Sequence, residues 1–455
     1  MTALPPLKRR STPRSTPLEA GRATAAASLG LIALWLAAPQ ASASPFELYG
    51  AGARGGAMAG ALGALGRDGE AVFYNPALLT ASQRPHLGAE LQLVAPSLFV
   101  DRAAGSAEDA DGGRTTALPD TSAGATLGLS MPFGSALGWK LSLGALAFIP
   151  ALNSTRLDAV DPATPHFALH RALTDKLFVG AALAVEPVEG LSIGLGAQGL
   201  AGLSGSADAL LDAERRRILR RRFEVDLDGT IAPILGLAWR GDAWSAGLTF
   251  RGRLALDYAL PIEFTFAEGG RAAFFIEGTT LFTPDQLNLA LGWAESGWAV
   301  ALDVTWARWS QAPTSASTVV TSIDDAGLGE GEATTLLEMA SADVSAGFVD
   351  TLVPRIGVER SAGERLVLRA GYSFRPTPVP NQVGYTNSLD NHAHQLGLGA
   401  GWRLGPGVEL RAFAQATALQ DRAVTKIPQH DPLGIGDYVA GGVVWHGGLA
   451  WHQDL

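Results

Sequence analysis

Fourteen stretches of this chain alternate apolar and polar residues with a period of two, and the links between them alternate in length. The stretches lie near 86–100, 121–133, 137–149, 176–186, 191–203, 223–239, 242–258, 283–295, 297–310, 344–360, 365–375, 391–403, 407–420 and 437–451. Most run ten residues or longer, which suits a tilted strand crossing a bilayer; strands of soluble proteins average about five or six. After every even stretch the link is tight, at 133–136, 186–190, 240–242, 295–297, 361–364 and 405–407. After every odd stretch it is long and polar, at 101–120, 150–175, 204–222, 259–282, 311–343, 376–390 and 421–436. Short turns on one side and long loops on the other mark an outer-membrane barrel. The even strand number puts both ends of the barrel on the short-turn, periplasmic side.

Side-chain parity agrees. Along 242–258 one face carries Trp244, Ala246, Leu248 and Phe250, and the other Ser245, Gly247, Thr249, Arg251 and Arg253. Along 365–375 Leu366, Leu368, Ala370, Tyr372 and Phe374 oppose Val367, Arg369, Gly371, Ser373 and Arg375. One face suits lipid and the other a polar lumen. Beside the tight turns, Trp139, Trp239, Trp244, Trp293, Trp298 and Trp402 share the apolar parity, as an interfacial aromatic belt would. Closing the sheet also satisfies every backbone group that an open edge would leave unpaired in hydrocarbon.

Composition removes the rival classes. The 455 residues contain no Cys, which excludes disulfide frameworks and thiolate chemistry. No run of 18 apolar residues occurs, so helical spans are not expected. A net charge of −10 argues against nucleic acid as a partner. Lys8, Arg9, Arg10, Arg14 and Arg22 precede a small apolar run, and Ala41, Ser42 and Ala43 fit a cleavage site. Residues 1–43 therefore read as a secretory signal peptide, and the mature chain as carrying about −14.

Residues 44–85 lack the two-residue period and are rich in Gly and Ala, the small residues that a tightly packed plug inside a barrel requires. The stretch from Gly52 to Gly60, continuing through Asp68, Gly69, Glu70, Ala71, Val72, Phe73, Tyr74, Asn75, Pro76 and Ala77, resembles the N-terminal hatch of the FadL/TodX family. Further matching stretches follow at Thr283–Gly292, Leu302–Trp309, Pro354–Glu359, Leu368–Pro380, Asp390–His394 and Leu396–Gly399. That family comprises outer-membrane transporters of long-chain fatty acids and hydrocarbons. The resemblance implies a 14-stranded transmembrane antiparallel β-barrel, an all-β fold, over residues 86–455 with a hatch over 44–85. Barrels of this type usually end in an aromatic residue, whereas this chain ends Trp451, His452, Gln453, Asp454, Leu455.

The resemblance makes Asn75, Pro76 and Ala77 the hatch or gate element. Pro76 fixes φ and Asn75 bonds nearby backbone, so the three residues build a stiff turn. Lumen parity brings in Arg251, Arg253, Asp303, Arg355, Glu359, Arg369, Arg375, Glu409 and Arg411. Of these, Arg251, Arg253, Arg369 and Arg375 are candidates to hold a ligand carboxylate; the same charges would also serve a lumen-filling ion-pair network. The stretch from Asp208 to Arg222 reads as a loop helix. Its Arg216, Arg217, Arg220 and Arg221 are candidates for contact with lipopolysaccharide phosphates. Phe167, Phe264, Phe266, Phe274, Phe275 and Phe282 offer an apolar capture surface among the long loops. His392 and His394 read as rim hydrogen-bonding residues, because sequence supplies no third metal ligand. The spacing of Gly50, Gly52 and Gly55 matches a dinucleotide fingerprint but lacks its preceding strand.

These readings predict a bacterial outer-membrane protein, monomeric and without a cofactor or catalytic role, that takes up hydrophobic compounds passively through a hatch-gated barrel. The alternative use of the same fold is a barrel that anchors or assembles secreted proteins.

Overall fold

The computed structural model describes residues 45–102, 118–136, 138–152, 164–171, 177–212, 217–266, 271–313, 318–323, 346–431 and 434–455. The signal peptide expected over 1–43 lies outside them.

Fourteen antiparallel strands close into a ring: β1 (His86–Arg102), β2 (Ser122–Ala136), β3 (Trp139–Pro150), β4 (Leu177–Val188), β5 (Leu191–Asp212), β6 (Arg217–Arg240), β7 (Trp244–Arg251), β8 (Gln286–Glu295), β9 (Trp298–Ala307), β10 (Thr351–Ala362), β11 (Leu366–Arg375), β12 (Ala393–Gly405), β13 (Val408–Val424) and β14 (Tyr438–Asp454). Each pairs with its neighbours in sequence. Strand β14 returns to β1 in unbroken register from His86↔Asp454 to Arg102↔Tyr438. The final strand thus continues past Trp451 through Asp454, and the Leu455 amide bonds the Pro85 carbonyl at 2.8 Å.

The wall alternates as its sequence does. Exposed Leu91, Leu195, Leu289 and Leu449, at 61–70% accessibility, face outward beside buried lumen residues. That outward apolar band defines a transmembrane barrel. Trp139, Trp239, Trp244, Trp298 and Trp402 are about half exposed beside the tight turns, and Trp293 lies opposite Trp244 in the β7–β8 register. The β8–β9 turn is the clearest case of turn chemistry: Ser296 and Gly297 both have positive φ (51° and 79°), the geometry that matches strand twist in a two-residue hairpin.

Two expectations need correction. The described residues of the stretch Asp208–Arg222, 208–212 and 217–222, are strand and not helix: they extend β5 and β6, paired out to Asp212↔Arg217. Their pairing with each other supplies a hydrogen-bond ladder that the helix-like spacing of its leucines and arginines did not reveal. The second is Arg253. Strand β7 ends at Arg251, and after Gly252 the parity inverts, leaving Arg253 exposed and Leu254 buried. From there Leu254–Phe266 leaves the wall and pairs with Arg271–Thr283, which carries Thr318–Ile323 on its other edge. Ile262–Phe266 also runs parallel to Ala207–Leu211 of β5.

Residues 45–84 fill the bore as short helices and turns: Pro45–Tyr49, Gly52–Ala57, Asp68–Glu70, Ala71–Tyr74 and Pro76–Ala81. This inner segment passes around the lumen and touches the wall through glycines, because only a residue without Cβ lets two backbones approach so closely. In the β10–β11–β12 register Gly357, Gly371 and Gly397 lie opposite one another, against Met58, Ala57 and Gly56. In the β5–β6 register Gly194 lies opposite Gly236, against Asn75, Pro76 and Ala77. A Cβ at Gly371 would collide with the Met58 backbone, and one at Gly194 with that of Pro76 and Ala77.

Candidate functional site: the lumen and its two ends

Asn75 is fully buried and uses its whole amide. Its Nδ2 donates to the Gly63 carbonyl (3.0 Å) and the Leu237 carbonyl (3.1 Å), and its Oδ1 accepts from the Ala77 amide (3.1 Å). It caps the 3₁₀ turn Pro76–Ala81, with Pro76 at the first position, where its missing N–H leaves nothing unpaired. One side chain therefore ties two parts of the inner segment to each other and to β6. Nearby, Thr80 Oγ1 meets Ser192 Oγ at 2.7 Å and accepts from Arg240 at 3.2 Å. Arg240 also bonds Glu186 at 2.6 Å.

Toward the short-turn end the lumen is charged. Glu359 of β10 accepts from Arg54 (2.9 Å), Arg369 (2.7 Å) and Arg67 (3.0 Å). Arg369 reaches on to Glu409 at 2.9 Å, and Arg411 contacts Glu409 and Asp68, each at 3.2 Å. The network couples the inner segment to β10, β11 and β13. Arg369 belongs to it and lies away from the mid-lumen cavity.

That cavity, about 40 Å³, is bordered by Phe46, His170, Arg251, Asp303, Arg355 and Arg375 among others. Arg251 donates to the Phe73 carbonyl (3.0 Å), pairs with Glu47 (3.2 Å) and lies 4.2 Å over the Phe73 ring. Arg375 grips Asp390 with two bonds of 2.7 and 2.9 Å. Beside the cavity Phe46 packs edge-on against Phe73, Phe148 and Phe178, with centroids 4.9–5.8 Å apart. Of the four candidate ligand arginines, Arg251 and Arg375 thus come together at the cavity and Arg253 and Arg369 do not.

The loop end is closed by apolar side chains. Phe167, Leu169, Phe282, Val379, Leu389, Ile435 and Tyr438 form one cluster with Leu48 and Tyr49 of the inner segment. Two loops meet there in a short parallel bridge, His166–Phe167 against Ser388–Leu389. The Lys426 ammonium donates to the carbonyls of Gln382 (2.7 Å), Gly384 (2.6 Å) and Thr386 (3.0 Å), fixing the overlying turn. Beneath it Tyr49 Oη lies 3.0 Å from His170 Nδ1, and His170 Nε2 lies 3.8 Å from Asp390. Phe167 and Phe282 take the apolar places expected of them. Arg216 lies outside the described residues, as do the side chains of Arg217, Arg220, Arg221, Phe264, Phe266, Phe274 and Phe275. His392 and His394 bond the rim: Thr377 N donates to His392, and His394 meets Tyr372 Oη and Gln420. Tyr49, His170 and Asp390 carry no short-range signal; residues 49 and 390 meet only because the barrel brings segment and loop together.

Burial lowers the His170 imidazole to a pKa of about 4, with Arg375 adding to the effect and Asp390 opposing it. A histidine kept neutral in the closed mouth loses that state's advantage as pH falls from about 6.5 toward 4. Closure therefore becomes less favourable by up to about 3 kcal/mol as the pH falls through that window, and is unaffected at neutral pH, where the ring is uncharged in both states. Protease access to the 164–171 loop is therefore expected to rise across that window, and His170→Gln is expected to flatten the dependence. A flat wild-type profile would refute it.

These features define a plugged, fourteen-stranded transmembrane barrel. Residues 236–431 match the family model described as outer membrane protein transport protein (OMPP1/FadL/TodX), so the similarity to the FadL/TodX family read from the motifs holds. Among solved structures, a Pseudomonas aeruginosa FadL homologue is similar at 12% identity and TM-score 0.57, over 92% of this chain and 99% of that one. The P. putida toluene transporter TodX is similar at 13% identity and TM-score 0.54, over 90% and 99%. The Ralstonia pickettii toluene transporter TbuX is similar at 14% identity and TM-score 0.53, over 90% and 100%. No curated protein matches the chain in sequence.

Proposed function

We propose that this chain is an outer-membrane channel for passive uptake of hydrophobic compounds, fatty acids or hydrocarbons, with residues 44–85 as its hatch. The observation that carries the reading is the apolar cluster running from the loop residues Phe167 and Leu389 down to Leu48 and Tyr49 at the head of the inner segment. A water-filled pore has no use for such a seal. An apolar ligand entering from the loop side would exchange contacts with these side chains at about 25 cal/mol per Å² removed from water. In the closed form the protein's own side chains occupy that place, so uptake requires the mouth to part and the segment around Asn75, Pro76 and Ala77 to shift. Arg251 and Arg375 would then meet a polar end of the ligand at the mid-lumen cavity. The family match and the fold shared with two toluene transporters support the substrate class.

In the same reading the protein is exported by the signal peptide and acts as a monomer and a conduit rather than an enzyme. Arg217, Arg220 and Arg221 of β6, with Arg216 just ahead of them in sequence, are the residues offered to lipopolysaccharide phosphates.

Cells lacking the gene are expected to take up long-chain fatty acids or aromatic hydrocarbons several-fold more slowly at low supply, with recovery by the full-length chain. Equal uptake of both classes, together with a protein partner that co-purifies, would replace this reading by the anchoring one.

A further inference from the structure

Where the barrel closes on itself, three potential metal ligands from distant parts of the chain converge. Asp68 comes from the inner segment, His86 opens β1, and His452 lies near the end of β14. All three are buried, at 8%, 4% and 6% exposure. His86 Nε2 faces His452 Nδ1 at 2.9 Å and Asp68 Oδ2 at 3.6 Å, and one ligand atom from each of the three lies within 4.8 Å of the others. Ligands about 2.0–2.1 Å from a tetrahedral ion sit roughly 3.3 Å apart, so these atoms need move little to share one.

Two further observations point to a cation. A cavity of about 20 Å³ adjoins the cluster, bordered by His86, His452, Glu70 and Glu90. Glu70 and Glu90 are 4% and 5% exposed, and Glu70 Oε2 and Glu90 Oε1 have no hydrogen-bond partner. Buried carboxylate oxygens are costly unless paired or bound to a metal. The cations at hand are already shared: Arg411 serves Asp68, Glu70 and Glu409, and Arg369 serves Glu359 and Glu409. The second observation concerns orientation. His86 Nδ1 lies 3.0 Å from Asp454 Oδ1. A carboxylate holding the outer ring nitrogen fixes the tautomer whose inner nitrogen carries the lone pair, as at many metal-bound histidines.

We propose that Asp68, His86 and His452, completed by Glu70 or Glu90, bind one divalent transition-metal ion, with zinc the metal that suits this imidazole and carboxylate set. Without metal, His452 Nδ1–H donates to His86 and His452 Nε2 accepts from Arg411 at 3.3 Å. On binding, His452 carries its proton on Nε2 and gives the Nδ1 lone pair to the ion. Arg411 Nη1 then turns to Glu70 Oε1, which is 3.4 Å away. The ion would staple the inner segment to the first and last strands together, at the seam of the barrel.

The test is calorimetric titration of zinc into detergent-extracted full-length protein stripped with chelator, with metal content measured after dialysis. One zinc per chain is expected. His452→Gln should weaken binding at least tenfold. Asp454→Asn, which leaves every ligand in place and perturbs only the His86 tautomer, should weaken it ten- to a hundredfold. Zinc should also slow proteolysis within residues 60–80 of the wild type and not of His452→Gln. Absence of stoichiometric zinc, or zinc bound equally by wild type, His452→Gln and Asp454→Asn, would overturn the proposal.

Discussion

Replacing Gly371 by alanine is expected to unseat the inner segment while the barrel stays closed. The new Cβ would occupy the position of Met58 main-chain atoms, and a backbone cannot rotate aside as a side chain does. Overpacking of this kind costs about 1–3 kcal/mol or more. The expense falls on residues 56–61, since the β10–β11 and β11–β12 ladders give the wall far more to lose. The expected result is a chain that still migrates as a folded barrel, is cut by protease between residues 45 and 84, and conducts ions in planar bilayers. Valine at the same position should act more strongly. Gly405→Ala is the control, because a Cβ there meets nothing within 4 Å. Wild-type protease resistance and silence in bilayers from Gly371→Ala would show that the segment tolerates displacement from the wall.

The second large effect is expected at Glu359. Its carboxylate answers Arg54, Arg369 and Arg67, and the first two arginines are almost wholly buried. Removing one partner of a buried ion pair leaves a charge without compensation and typically costs about 3–5 kcal/mol. Arg369 retains Glu409, whereas Arg54 retains the Leu65 carbonyl at 2.7 Å and the charge of nearby Glu70, with no ion pair of its own among the described residues. Glu359→Ala is therefore expected to lower the denaturant midpoint for release of the inner segment, read by protease access. Adding Arg54→Met should restore much of the loss, because the stranded charge then disappears. If Glu359→Ala matches wild type, or if Arg54→Met only adds to the damage, the network is not what holds the segment down. The double variant measures that coupling directly.

The wall was legible because its physics is local. A two-residue period, a tight turn and a long loop each register within about ten residues, so all fourteen strands could be placed from sequence. The errors arose where a strand stops obeying its own pattern. Arg253 keeps lumen parity on paper, but Gly252 breaks the extended run and the chain departs to pair with Arg271–Thr283. Between Asp208 and Arg222 charged and apolar residues recur at helical spacing, yet each strand of the hairpin is the other's hydrogen-bond partner, which outweighs local preference. The candidate site was legible only in part. The turn from Asn75 to Ala77 is a contiguous motif, and Arg251 and Arg375 follow from strand parity. By contrast, the partners Tyr49, His170 and Asp390, and the group formed by Asp68, His86 and His452, are joined only by the closed ring, and nothing within a short window announces them.

The seam between β1 and β14 also sets an order of events. His86 and Asp454 are 368 positions apart, so their union has to await almost the entire polypeptide. The inner segment stands immediately ahead of β1 and rests on glycines from both sides of the ring. Its natural moment of entry is before the gap shuts, when the nascent sheet is still an open trough. A cylinder sealed first would have to admit forty residues through its short-turn end, past inward-facing side chains such as Glu359, Arg369 and Arg411.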